Sequence, residues 1–403
     1  MNVRIFPSFA KGEIAAPPSK SMAHRLLISA ALSQGKSRIC GVADSEDVMA
    51  TLDCLRALGA NCKMEDDAVL VQGIDFSNTE STTLPCRESG STMRFFLPLC
   101  LLSGREMTLV GAPSLLRRPM AVYAELAREN HFFFAQTESG ITVKGRLTAR
   151  EYTLPGNVSS QFISGMLFAL TQTQGESILH ILPPIESRSY IDMTLSALKT
   201  FGAEVRWVDD TTLCIHGGKP MTAQSLAVEG DYSNAAFLSA FNNIGGEVTL
   251  TGLDPASLQG DRIYLEHFAS LEQGFATISL SNCPDLAPIL FALAARGKGA
   301  RFVDTRRLAI KESNRAEAMA AELRKFGTTV DVRENEVIIT PTAFHAPTEH
   351  LLGHNDHRIV MSLAVLTTLT GGVIEGAEAV SKSFPDFFER ISSLGIQIEE
   401  LTP

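Results

Sequence analysis

The 403-residue sequence has no excess of positive charge: 35 basic residues stand against 45 acidic ones, a formal net charge of −10. That balance excludes a nucleic-acid binder relying on bulk charge. If such a protein handles anions, it must gather its cations in one place. Long apolar runs are also missing. None approaches the roughly 18 residues needed to span a bilayer, and 95–102 is a short run that suits a buried element. The first twenty residues lack the apolar core of a signal peptide, and Pro17-Pro18 interrupts the stretch. The seven cysteines are scattered, odd in number and never spaced C-x-x-C, which points to reduced, buried thiols in a cytoplasmic protein. There is no G-x-G-x-x-G and no G-x-S-x-G. Gly35-Lys36-Ser37 fails as the end of a P-loop because Ala30 stands where the first glycine is required. His350, His354 and His357 have metal-like spacing, but no set of cysteine, histidine and carboxylate completes a site there, and no metal is expected.

What is present is a folded chain, 45% apolar and 20% charged, long enough for two or three domains. An internal repeat organises it. Six strand-like runs each begin at a glycine: Gly35, Gly104, Gly175, Gly246, Gly299 and Gly372. The intervals are 69, 71, 71, 53 and 73 residues. Within the units an amphipathic helix ends in Leu/Phe-Gly, and two strands about an acidic turn come next, as at 51–73, 194–217 and 318–340. The glycine suits a left-handed helix cap and the acidic pair a hairpin turn. The fourth interval is about 20 residues short, so that unit has lost its hairpin.

Each glycine comes after an apolar helix, predicted at 21–33, 91–102, 159–171, 233–242, 285–295 and 356–368. These are apolar nearly all round, which predicts burial. Each opens on a polar cluster: SKS, GST, SSQ, DYSN, PD and NDHR. One such cluster is only a cap, but six in register can aim several helix N-termini at one anion. Lys20, Arg25, Arg94, Arg118, Lys311, Arg315, Arg358 and Lys382 lie beside these starts, with Asp285, Glu312 and Asp356 among them. Arginine forks and lysine points of charge suit phosphate and carboxylate. An acid flanked by cations in such a pocket is a candidate for proton transfer, because burial and its neighbours push its pKa in opposite directions.

Ordered blocks along nearly the whole chain carry a specific resemblance: PPSKSMAHR (17–25), DSEDV (44–48), GSTMRF (90–95), LRRPM (116–120), VSSQFISGML (158–167), SYIDMTL (189–195), VEGDYSNAAF (228–237), PD (284–285), IKESNR (310–315), NDHRIVM (355–361) and SKSFPDFF (381–388). The sequence resembles the 5-enolpyruvylshikimate-3-phosphate synthase family. The resemblance implies an α/β fold of two similar domains, each of three βαβαββ units around buried parallel helices, an inside-out barrel that closes on substrate. One domain would take residues 1–14 with 229–403 on the phosphoenolpyruvate side, the other residues 15–228 on the shikimate 3-phosphate side. The implied reaction moves the enolpyruvyl group of phosphoenolpyruvate to the 5-hydroxyl of shikimate 3-phosphate, with no cofactor; separately, the acidic charge balance and the lack of an obvious exposed apolar stripe favour a monomer.

The same resemblance implies roles. Lys20, Asp285 and Glu312 would be catalytic. Ser21, Arg25, Ser159, Ser160, Gln161, Ser187 and Tyr190, with Lys20, Asp285 and Lys311, would bind shikimate 3-phosphate. Lys20, Gly90, Arg118, Gln161, Arg315, Arg358 and Lys382 would clamp phosphoenolpyruvate, and Asp356 and His357 would line the same wall. The block Arg87-Glu88-Ser89-Gly90 departs from the family's usual Gly-Asn before Ala/Ser-Gly. Glu88 must then point away from an anionic ligand or pair with a cation such as Arg87. The alternatives are the same chemistry on a UDP-sugar and a non-catalytic ligand-binding homologue. The first looks for a cysteine within 111–120, which has none; the second is disfavoured by Lys20, Asp285, Glu312 and Arg358 all being present.

Overall fold

A computed structural model describes residues 1–401 of the chain. Contacts divide it into two compact units: Met1–Pro17 with the chain from Gly230 onward, and Pro18–Glu229. The expected joins were at 14/15 and 228/229. The strand Lys11–Ala15 pairs in parallel with Glu247–Thr251, and Ala16 N–H donates to Thr251 O, so the first segment runs three residues further into its unit, to Pro17.

The expected α/β architecture is present. Six helices are buried nearly all round: Lys20–Leu32, Gly90–Cys100 and Ser160–Leu170 in one unit, Tyr232–Asn243, Ala287–Arg296 and His357–Thr370 in the other. Each leads into a strand that starts at or just after one of the six glycines. Five of those strands lie in four-stranded sheets, with a parallel neighbour on one side and a hairpin on the other, as in the order Glu151–Pro155, Gly175–Leu182, Thr212–Gly217, Glu204–Trp207. The last unit draws half its hairpin from the other end of the chain: Asn2–Ile5 pairs with Ile398–Leu401 and with Gly372–Glu375.

The shortened fourth unit has the expected consequence. Its strand Glu247–Thr251 sits in a sheet of two strands, without a hairpin. An open strand edge exposes unpaired backbone groups. Asn242 pairs with part of this one: its Nδ2 donates to Val248 O at 2.8 Å and its Oδ1 accepts from Val248 N–H at 2.7 Å.

Five of the six buried helices have a Ser or Asp side-chain cap, four from the polar clusters and one, Ser89, just ahead of its cluster. Ser19, Ser89, Ser159, Asp231 and Asp356 accept from backbone N–H groups of the first turn. The sixth differs. Asp285 lies in a 3₁₀ turn, Pro284–Leu286, ahead of a helix whose first turn holds Pro288, and its carboxylate makes ion pairs instead of a cap.

Candidate functional site

In the Pro18–Glu229 unit the candidate residues sit on helix starts and are tied to one another. Lys20 begins its helix, and its Nζ meets Asp47 Oδ2 at 2.8 Å, with both side chains nearly buried. Asp47 lies in the first turn of Glu46–Ala57, and its carbonyl oxygen accepts from Thr92 Oγ1 at 3.4 Å. Thr92 in turn bonds the Ser89 cap at 2.8 Å, at the start of the Gly90 helix. Lys20 is thereby linked to Gly90 through two side chains and a cap. Asp47 carried no assigned role in the sequence, although its block DSEDV stood among the matching ones.

Arg25 is 2% exposed. Its Nε donates to Thr194 Oγ1 (2.8 Å) and its two terminal nitrogens to Ser21 O (2.6 Å) and Tyr190 O (2.9 Å). The guanidinium also packs against the Phe95 and Tyr190 rings. Burial pushes it down to about 10, so it stays charged at neutral pH. Ser187, just before the Arg188–Thr200 helix that carries Tyr190, is buried and holds φ at 56°, a conformation costly for a residue with a side chain.

Gly90 leaves room for a neighbouring guanidinium. A Cβ there would lie 2.6 Å from an Arg118 guanidinium nitrogen and 3.5 Å from one of Arg94. Arg94 donates to Gln161 Oε1 at 2.7 Å, and Gln161 Nε2 donates to Ser91 Oγ at 2.8 Å. Ser159 caps the helix bearing Gln161, and Ser160 is its first residue. The two helices are locked close together. Pro98 cannot donate to the carbonyl of Arg94 one turn earlier, and Tyr123 Oη supplies that bond at 2.7 Å. Gly165 admits the approach: a Cβ there would lie 2.4 Å from Arg94 O. Arg94 thus joins Gly90 to Gln161, a link that spacing alone did not reveal. Of the alternatives for Glu88, pairing with Arg87 is not the one seen: the Arg87 guanidinium meets Glu46 and Asp53, each at 2.6 Å, while Glu88 accepts from Ser114 Oγ at 3.0 Å.

In the other unit Asp285, Lys311, Glu312, Arg315, Asp356 and Arg358 form one charged cluster. Arg315, 1% exposed, meets Asp285 and Glu312 at 2.6 Å each and Asp356 at 2.8 Å. Lys311 Nζ lies 3.0 Å from Asp285, and Arg358 reaches its other oxygen at 3.5 Å. Asp356 also accepts from Ser313 Oγ and from the Arg358 backbone N–H. His357 is buried beside it. Lys382 Nζ donates to the carbonyl of Asn355 at 2.7 Å.

The opposing pulls expected on the acid resolve in one direction at Asp285. Burial raises its pKa, but Arg358, Lys311 and Arg315 outweigh burial and hold it well below the usual carboxylate range. Burial lowers Lys311, against the pull of Asp285. Burial would also lower Arg315, yet Asp356, Glu312 and Asp285 together raise it. The arrangement is an ionised carboxylate with a weakened ammonium 3.0 Å away, which suits proton transfer to and from a bound anion. The histidine-rich stretch is dispersed: His350 Nδ1 faces Glu375 and His354 Nε2 faces the buried Glu322.

Comparison with known proteins adds the lineage. The sequence profile described as EPSP synthase (3-phosphoshikimate 1-carboxyvinyltransferase) matches residues 7–391. The chain is 37% identical to the 3-phosphoshikimate 1-carboxyvinyltransferase of Clostridium kluyveri, over 99% of this chain and 98% of that protein. It is 35% identical to one from Clostridium perfringens, over 98% of each. Among solved structures, an EPSP synthase from Acinetobacter baumannii superposes with a TM-score of 0.78 at 24% identity, covering 99% of both chains. The enolpyruvyl transferase NikO from Streptomyces tendae superposes at 0.82 with 14% identity, over 100% of this chain and 99% of that one. At these identities the structures speak for the fold.

Proposed function

The chain belongs to the EPSP synthase family, and from that membership we propose that it transfers the enolpyruvyl group of phosphoenolpyruvate to the 5-hydroxyl of shikimate 3-phosphate, releasing phosphate. The step belongs to aromatic amino-acid biosynthesis. The observation that carries this reading to the level of residues is the ionised Asp285 carboxylate held among Lys311, Arg315 and Arg358.

The chemistry has two halves. In the addition, the 5-hydroxyl oxygen bonds to C2 of phosphoenolpyruvate, loses its proton, and the methylene carbon gains one. In the elimination, the C2–O bond to phosphate breaks and the new methyl group gives up a proton to restore the double bond. We assign the hydroxyl proton to Asp285. Its basicity is low while three cations face it, and rises as substrate anions engage those cations. Glu312 serves the other proton transfer, and a carboxylate pair can exchange roles between the halves. Lys20, fixed by Asp47, stabilises the phosphate as it leaves.

For binding, we assign shikimate 3-phosphate to Ser21, Arg25, Ser159, Ser160, Gln161, Ser187, Tyr190 and Lys311, with Lys20 and Asp285. Phosphoenolpyruvate falls to Lys20, Gly90, Arg118, Gln161, Arg315, Arg358 and Lys382, with Asp356 and His357 in support. The convergence of Gly90, Arg94, Arg118 and Gln161 supports an anion subsite at a helix start. We further infer a cytoplasmic monomer whose phosphoenolpyruvate site is also that of its mimic glyphosate. Seven free thiols and the acidic charge balance support the first part. Among the described residues no helix is long and apolar enough to cross a membrane.

The test is phosphate release from phosphoenolpyruvate, measured with shikimate 3-phosphate and separately with a UDP-sugar. Release is expected with the former alone. Release only with the UDP-sugar, or with neither, overturns the reading.

A further inference from the structure

A cluster of metal-ligand side chains lies on strands of the Pro18–Glu229 unit, apart from the helix starts that carry the candidate site. Along Gly175–Leu182 and Thr212–Gly217 residues alternate between faces, and Glu176, Cys214 and His216 share the outer one. The register pairs Glu176 directly with His216, and Cys214 lies two residues before His216 on the same strand. Cys214 Sγ lies 3.7 Å from His216 Nε2, and His216 Nδ1 lies 3.3 Å from Glu176 Oε2. One ligand atom from each residue can be chosen so that all three fall within 4.8 Å of one another.

We propose that Cys214, His216 and Glu176 form a binding site for a thiophilic divalent cation, with Zn²⁺ the best fit. Sulfur, imidazole nitrogen and carboxylate oxygen are its ordinary ligands. Bonds of about 2.3 Å to sulfur and about 2.0 Å to nitrogen hold those two atoms roughly 3.5 Å apart at a tetrahedral centre. The observed 3.7 Å between Sγ and Nε2 is close to that spacing. A single ion takes one ring nitrogen, so it binds at Nε2 beside the thiol. The Glu176 carboxylate, on an exposed side chain, swings from Nδ1 to complete the third position. Glu204, the other cross-strand neighbour of His216, is engaged by Lys219, which leaves the fourth position to water. The thiol is 2% exposed while the imidazole and carboxylate reach solvent, so an ion enters from outside and finds its soft ligand shielded. Binding exchanges the thiol proton for the metal: the S–H bond breaks, the S–M bond forms, and one proton is released.

The site is independent of the transfer reaction, and its test does not need turnover. The full chain, stripped with a chelator under reducing conditions, is titrated with Co²⁺ and followed by the near-ultraviolet thiolate-to-cobalt charge-transfer band. The band is expected to saturate at one equivalent and to be displaced by Zn²⁺. Cys214→Ser is expected to remove it, and His216→Ala to weaken cobalt binding at least tenfold. Circular dichroism of both variants checks that the sheet is intact. Absence of the band, or its persistence in Cys214→Ser, overturns the site.

Discussion

Two buried arginines show how differently the two units use one side chain. Arg25 and Arg315 are 2% and 1% exposed. Arg25 rests on two carbonyls, a hydroxyl and two rings, all neutral, and burial lowers its pKa. Arg315 is held by three carboxylates, and they raise its pKa against burial. A cation with neutral partners keeps its charge for an incoming anion. A cation shared among three acids organises them, and in the proposed assignment it meets phosphoenolpyruvate from within that frame. The same repeat therefore holds a buried cation on neutral partners in one unit and among carboxylates in the other.

The largest effect is expected where the frame is broken. Arg315→Ala leaves the buried Asp356 and the partly buried Asp285 and Glu312 facing one another and should cost about 3–5 kcal/mol of stability, read by denaturant unfolding. Arg25→Ala should unfold the protein less but weaken shikimate 3-phosphate binding by roughly 30-fold or more, about 2 kcal/mol for a charge-assisted contact, read by calorimetry. Equal losses of stability in the two variants would erase the contrast. Gly90→Ala pushes Arg118 aside and should raise the KM for phosphoenolpyruvate roughly tenfold, leaving that for shikimate 3-phosphate nearly unchanged in steady-state kinetics.

The smallest effect is a pH dependence inside the Pro18–Glu229 unit. His24 is fully buried, hydrogen-bonded through Nδ1 to Thr51, and held well below its ordinary pKa by burial and by the nearby Lys20 and Arg25 charges. Above about pH 6.5 folded and unfolded states are both neutral there, so the group contributes nothing to the dependence. Below it the unfolded chain takes up a proton that the fold refuses, and stability falls by up to about 1.4 kcal/mol per unit. His24→Gln should remove that slope between roughly pH 6.5 and 5 in melting curves. Asp285 acts lower. Its depressed pKa adds stability that is present above about pH 4 and lost as pH falls.

Much of the architecture could be read from spacing. The glycines mark strand starts, and the apolar helices lie within a few residues of their predicted spans. The 53-residue interval marks the missing hairpin. These are local signals, governed by periodicity and backbone freedom. What stayed hidden depends on packing between distant segments. Asp47 reaches Lys20 across 27 residues, Arg94 meets Gln161 across 67, and Tyr123 supplies the bond that Pro98 cannot. Asp285 stood both at a helix start, where it could cap, and among the candidate proton-transfer acids. Its release from that duty comes from the 3₁₀ turn before Pro288, where backbone geometry and charged neighbours decide together.

In the proposed assignment the Asp285 charge serves proton transfer more than it serves shikimate 3-phosphate binding. Asp285→Asn keeps the shape and removes the charge, so a single preparation can be assayed for turnover and, by calorimetry, for shikimate 3-phosphate binding. Turnover is expected to fall by at least about 1,000-fold, a few kcal/mol of barrier, with affinity changed only a few-fold. Near-normal turnover would contradict the claim.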